Sequence, residues 1–436
     1  MIQDGIGAIV NHVTSNNMLT SIQIDRRVLL GFLAVMFVIN AAVLAILWKE
    51  IMAGKNDFPI FYSNAQMVRE GKASGLYDFE AENRFIRRVS DVQRPPNNHL
   101  PYELLLFVPF TYLKFRMAYI VWTILSLAML AGVAAMTGNI RTGGSTFSLR
   151  FLTVLAFYPV WYCLLMGHDS ILMLFLFTIS FCLWKRGNDD LAGFVIALGL
   201  FRPQLVLPFV FIAFVAGKWK FVRGFLPGAA LAVTLSTWIV GWHGMADYVR
   251  VLLAQGTEGS AKVLDQQWEI DPGIMPTWRG FLWLFLPRWV PPGVRIFFLL
   301  VGTFWGLGWA AKKMRTPTNP AAFDAAFAIA VATALLVSYH SFLNDFSLMI
   351  LPLLILGVML VSVGKVPRLN AYLIATVGFL LFLTPLYMML MSTGVLASFF
   401  VVELVALCLT SRWGANVVVV SDSAGGTARA ISGETA

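Results

Sequence analysis

Long apolar runs, divided by short basic stretches, repeat along most of the chain. Set against the ~20 residues that cross ~30 Å of hydrocarbon, they predict spans at 29–48, 117–136, 150–166, 170–184, 224–242, 294–311, 322–339, 346–363, 370–390 and 394–411. Two shorter runs, 191–201 and 203–216, meet at Arg202-Pro203. Proline ends the helix before it, and irregular backbone at membrane depth is tolerated only inside protein or beside a water-filled cavity. The pair is therefore expected to be two half-length helices joined at a break.

The stretch 49–99 is too polar to span. Phe61, Ala65 and Val68 recur at helical spacing, Gly71 and Gly75 interrupt, and 79–92 resumes a basic amphipathic pattern. Two helices lying on the membrane surface are expected there. A second loop, 243–278, carries Glu258, Asp265, Glu269 and Asp271 among Trp268, Pro272 and Trp278, and the tail from Ala415 reads as disordered.

The basic stretches set the orientation. Arg26-Arg27, Arg141 with Arg150, Lys185-Arg186, Lys218/Lys220/Arg223, Lys312-Lys313-Arg315, Lys365/Arg368 and Arg412 can all be cytoplasmic together. That needs twelve crossings with both termini inside, and it leaves 101–113 and 279–290 as re-entrant or interfacial helices. The implied division is a cytoplasmic leader, 1–28, a membrane domain, 29–412, and a tail, 413–436. Asp57, Tyr62, His99, His168-Asp169, Arg202, His243 and the run from Tyr339 to Asp345 then share the extracytoplasmic face. Such a one-sided polar set is expected of a reaction or binding site rather than of a scaffold.

Composition agrees with the pattern. With 58% hydrophobic and 13% charged residues among 436 and a mean hydropathy of +0.74, a water-soluble globule is excluded. The class is an all-α, polytopic membrane protein. A net charge of +9 would suggest nucleic acid in a soluble domain; here it resides in the short loops and reads as topology, so no nucleic-acid partner is expected. Cys163, Cys182 and Cys408 lie in apolar runs and offer neither a disulfide framework nor metal spacing. The first apolar run follows a long polar leader and reads as a retained anchor, not a cleaved signal. Gly224/Gly228 and Gly302/Gly306 read as helix packing, and no Gly-rich phosphate motif is present.

Asp57 stands at the junction of the first span and its loop, where a carboxylate near lipid is costly and persists for a function. Asn56-Asp57-Phe58, Phe61-Tyr62, Gly71 and Leu76-Tyr77-Asp78 are followed by Tyr158-Pro159, Gly167-His168, Ala192-Gly193, Arg202-Pro203-Gln204 and Ser338-Tyr339-His340 with Asp345. In that order, over roughly 50–360, the chain resembles glycosyltransferase family 87, GT-C-type membrane enzymes that use polyprenyl-phosphate sugars. The family commonly has Gln in place of His168, Lys in place of Arg202, and often His in place of Asn344. The resemblance implies transfer of a hexose, mannose first among them, from a polyprenyl-phosphate donor to a lipid or glycan acceptor at the outer face of the cell membrane.

Such a displacement at an anomeric carbon needs a base for the acceptor proton, donors for the leaving phosphate, and a dry, oriented site. Asp57 is the candidate base; the alternatives are a helix-end acid or a loop salt bridge with Lys55. Arg202 is the phosphate candidate, because a guanidinium at a break offers a planar fork; the alternative is a snorkelling arginine. His340 and His168 are candidate donors to the phosphate or sugar, against packed core histidines. Tyr62, His99, Tyr339 and Asp345 are candidates for sugar or acceptor binding, with interfacial anchoring for the tyrosines and an N-cap for Asp345 as alternatives. Asp189-Asp190 and the spread Asp265/Glu269/Asp271 make no convincing ligand set, so no metal and no other cofactor is expected. A competing class is a lipid or glycolipid transporter or flippase, which should show a matching broken helix in its second half; none is visible in the sequence.

Overall fold

The apolar runs become helices in the computed structural model, which describes residues 19–20, 26–139, 146–256, 271–287, 289–363 and 366–409. Glu258, Asp265, Glu269, nearly all of the leader and the tail from 410 lie outside the described residues. The expected all-α class is met; among the described residues the only strand content is Leu19–Thr20 paired with Val366–Pro367.

Among the described residues, five helices are long and apolar enough to cross a membrane: Arg27–Met52, Phe115–Met136, Trp219–Leu253, Pro292–Arg315 and Pro320–Val337. Two bent pairs raise the number to seven, Phe147–Ala156 with Tyr158–Met166 (68°) and Tyr372–Phe382 with Thr384–Ser392 (63°). Ser170–Lys185, Pro203–Val215, Asp345–Gly357 and Leu396–Leu409 are apolar but shorter. By length and composition alone, five to seven spans stand among the described residues beside these four shorter apolar helices, as the expected polytopic class requires.

The break at Arg202 has the expected form. Asp189–Ala197 ends one helix, a turn follows, and Pro203–Val215 begins the next. The first half packs backbone to backbone against Trp219–Gly256: a Cβ at Gly193 would lie 1.9 Å from the Phe221 carbonyl oxygen, and one at Gly224 would lie 1.8 Å from that of Asp190. Small residues permit this approach, and close packing substitutes for the hydrophobic drive that lipid removes. Asp190 meets Arg223 (2.7 and 2.8 Å), Lys185 meets Asp324 (2.5 Å), and Lys218 Nζ meets the Arg315 carbonyl (3.3 Å). These contacts gather both ends of the 185–218 stretch at one end of the bundle, as two half-helices require.

The opposite end is roofed by the loop after the first span. Phe58–Arg69 and Phe79–Ile86 are its helices, and Gly71 (φ +69°) turns the chain between them. Segment 101–112 forms three short turns, Pro101–Glu103, Leu104–Phe107 and Val108–Tyr112, and Trp278–Phe285 is a short helix. Gly241 (φ +72°) breaks the long helix where the sequence pattern ends a span. Within the bundle, Asn40 Nδ2 donates to the Ala156 carbonyl (3.3 Å) at one bend, and Thr384 Oγ1 at the other bend donates to Asn40 Oδ1 (2.9 Å). One amide on the first span therefore joins both bent helices.

Candidate functional site

Breaking a span frees backbone groups that lipid cannot satisfy. Here Tyr102 meets them: its hydroxyl donates to the Leu198 carbonyl (2.9 Å) and accepts from the Phe201 amide (2.8 Å), while its own amide donates to Ser236 Oγ (3.2 Å). The turn so held presents Arg202, 3% exposed, to a buried polar cluster.

Arg202 donates to Asp169 from Nε (3.1 Å) and Nη2 (2.7 Å) and to Asp345 Oδ1 from Nη1 (2.8 Å). Nη2 also lies 2.8 Å from His168 Nε2. Most of the guanidinium N–H groups are thereby engaged, with two carboxylates facing one cation. Ser170 Oγ donates to Asp345 Oδ1 (3.0 Å), the Phe342 amide donates to Asp345 Oδ2 (3.2 Å), and the Asn344 amide group touches His168 Nε2 (2.7 Å). Asp345 is no N-cap; Asn344 holds that position.

His168 and Asp169 follow Gly167, which ends Tyr158–Met166 in the left-handed region (φ +63°). Only glycine takes this conformation without strain.

His99 adds a third carboxylate to the cluster. Its Nδ1 lies 2.7 Å from Glu103 Oε2 and 3.5 Å from Asp169 Oδ2. Burial pushes the His99 imidazole down to about 3 and, with the Asp169 carboxylate beside it, holds the Glu103 carboxyl well above its usual range. His99, Glu103 and Asp169 could together hold a cation, their nearest ligand atoms lying within 4.8 Å of one another. In this arrangement, however, Arg202 already supplies the positive charge on Asp169. Nothing local in the sequence announces this set, because Asp169 lies 66 positions beyond Glu103.

His340 touches Asn98 (Nε2 to Nδ2, 3.3 Å), and burial lowers its imidazole to about 3. His340 Nδ1 and Ser341 Oγ are buried without a hydrogen-bond partner among the described residues. Unmet groups of this kind are what a bound polar ligand would satisfy.

Tyr77 supports His99 from behind. It is the one non-glycine residue with positive φ (+73°) among the described residues, a strained state. Its amide donates to Glu82 Oε1 (2.7 Å) and its hydroxyl to the His99 carbonyl (2.8 Å). Glu82 also accepts from the Asn97 amide (3.0 Å) and Asn64 Nδ2 (3.2 Å), yet burial pushes its carboxyl up to about 7.

Asp57 stands at the edge of this end, its side chain 34% exposed. Its amide donates to the Met166 carbonyl (3.1 Å), and Asn56 Nδ2 donates to that of Leu165 (3.1 Å). The carboxylate makes no cap bond to the helix it precedes. Lys55 pairs with Glu50 (2.6 Å), not with Asp57. Arg94 does pair with Asp57, Nη1 to Oδ1 at 3.3 Å, while its Nη2 donates to the Asn56 carbonyl (2.6 Å).

The structure thus joins His99, His168, Arg202 and Asp345 directly, with His340 close by and Asp57 fastened two residues short of His168. Tyr62 and Tyr339 are held outside this network. Tyr62 donates its hydroxyl to the Leu113 carbonyl (2.7 Å), and the Tyr339 carbonyl accepts from Arg279 (2.9 Å). Asp169 was placed on this face from the sequence but given no role, and Glu103, Tyr102 and Arg94 were given none either. The acid of Pro101-Tyr102-Glu103, set against Leu104-Leu105-Leu106-Phe107, was the signal available for Glu103.

A family model described as glycosyltransferase family 87 matches residues 101–338, more than half of the chain. No curated protein and no solved structure matches it.

Proposed function

We propose, from the premise that the chain belongs to glycosyltransferase family 87 and is a membrane glycosyltransferase, that it moves a hexose, mannose first, from a polyprenyl-phosphate donor to a lipid or glycan acceptor on the extracytoplasmic face of the cell membrane. The observation that carries this reading is the hydrogen bond from the Asp57 amide to the Met166 carbonyl. It brings a half-exposed carboxylate from the first loop beside the buried His168, Asp169, Arg202 and Asp345. One accessible acid over a buried, imidazole-bearing floor fixed by Arg202 is the layout that the transfer needs.

In the reaction, the acceptor oxygen bonds to the anomeric carbon as the bond from that carbon to the phosphate oxygen breaks. Asp57 takes the acceptor proton, and the polyprenyl phosphate leaves with the bonding pair. His340, with its unmet Nδ1, donates to the phosphate, and His168, whose ring nitrogens meet Arg202, Asn344 and Asp169, holds the floor beneath it. Arg202 serves the same site by fixing His168, Asp169 and Asp345, since its own N–H groups are largely taken by them. His99 and Tyr339 line the sugar side. Asp345 and Tyr62, whose polar atoms bind Arg202 and the Leu113 carbonyl, support those walls.

Transfer by purified protein from a polyprenyl-phosphate mannose tests the base. Asp57→Asn should lower turnover by ~10²–10⁴, the usual range for a positioned base, while donor binding stays near wild type. Turnover within about twofold of wild type would remove Asp57 from the role.

A further inference from the structure

A crevice of about 780 Å³ opens beside the loop end of the first span, walled by Met52, Phe115 and Met117 and by three cations, Arg88, Lys114 and Arg116. Its volume falls in the ~300–1,000 Å³ range of ligand pockets. Arg88 is already neutralised: it forks onto Glu70 (2.8 and 3.4 Å) and lies over the Phe85 ring (3.8 Å). The other two are not. Arg116 gives its Nε to the Met52 carbonyl (3.2 Å), and neither it nor Lys114 has a carboxylate partner among the described residues. Lys114 precedes Phe115–Met136 without making a side-chain cap bond, so the positive end of that helix adds to the same field.

Below the crevice the surface changes character. Ile46, Leu47 and Trp48 on the first span and Val121, Ile124 and Leu125 on the second are exposed. The two helices meet at this end, where the rings of Trp48 and Tyr119 lie 6.5 Å apart. Unpaired cations above an apolar, lipid-facing seam match a molecule with an anionic head and acyl chains. We propose that the crevice holds the phosphate of an anionic membrane phospholipid, with its chains along Arg26–Met52 and Phe115–Met136. This assignment is independent of the role of Asp57.

Native mass spectrometry of the purified full chain, with phosphatidylglycerol and phosphatidylcholine offered together, tests it. Wild type should retain phosphatidylglycerol preferentially, and Lys114→Gln with Arg116→Gln should lose that preference on the order of tenfold, each surface cation contributing a similar increment. Lys114→Gln alone, at an exposed residue without an ion-pair partner, should lose part of it. Lys218→Gln, at the other end of the bundle, should lose none. Equal retention by wild type and either Lys114 variant would overturn the proposal. Displacement of the lipid by inorganic phosphate would overturn it too, making the crevice a free-anion site.

Discussion

Gly167 and Phe58 approach so closely that a Cβ on the glycine would lie 2.7 Å from the Cβ of Phe58. Asp57 precedes one of these residues and His168 follows the other. The contact therefore sets the spacing between the proposed base and the floor of the site, although 109 positions separate Gly167 from Phe58 in the sequence.

Gly167→Ala should be costly twice over. A non-glycine residue in the left-handed region costs roughly 1–2 kcal/mol, and the new methyl must displace Phe58. Thermal unfolding of the purified variant should fall below wild type, and transfer should fall further than unfolding explains. An alanine variant with wild-type turnover would mean that the spacing between loop and floor is not critical.

Arg202 bridges two buried carboxylates, and breaking such an arrangement costs about 3–5 kcal/mol. Arg202→Ala should accordingly lose stability as well as most activity. Arg202→Lys keeps the charge but reaches one carboxylate at a time, so part of the activity should remain. Adding Asp345→Asn to Arg202→Ala removes one uncompensated charge and should restore thermal stability without restoring transfer. Unfolding temperatures for the three variants check the structural half, and turnover checks the chemical half.

Glu82 predicts a pH dependence with a definite sign. Its carboxyl rises from 4.5 to about 7 on folding, so between those values the folded state binds more proton than the unfolded state. Stability should fall as pH rises from 4.5 through 7 and be flat on either side. Glu82→Gln should flatten that slope, because an amide does not titrate. Hydrogen exchange across residues 76–99 at pH 5 and pH 8 would read it; identical slopes in the two proteins would exclude Glu82 as the source.

The sidedness can be tested by labelling. Ser170 is buried and unsuitable for a reagent, but Lys72 on the loop end and Asn188 on the opposite end are exposed. Cysteines placed there, in a background lacking Cys163, Cys182 and Cys408, should respond differently to an impermeant reagent applied outside intact cells. Position 72 should react and position 188 should be spared. The reverse result would put the proposed site in the cytoplasm.

Local chemistry was legible in the chain wherever it had a local cause. Pro203 announces the break and Gly71 ends a surface helix, because each acts on its own backbone. Asp57, His168, Arg202 and Asp345 also stood out, as polar residues at the edges of apolar runs. What stayed hidden was pairing. Nothing near Arg202 says that Asp169 and Asp345 will share its guanidinium, and nothing near Asp57 names Arg94 as its counter-ion. The partner of the 68° bend after Ala156 was hidden for the same reason: Asn40, which meets the Ala156 carbonyl, lies over a hundred residues away.

The hydroxyl of Tyr102 has a mechanical meaning beyond capping. It belongs to the same short turn as Glu103 and lies three residues from His99, yet it grips two backbone groups of the turn that leads into Arg202. Neither part can shift alone without exposing an amide and a carbonyl to lipid. Any widening of the floor to admit or release a lipid-borne sugar must carry the His99–Glu103 turn with it, so the two walls of the site travel as one piece.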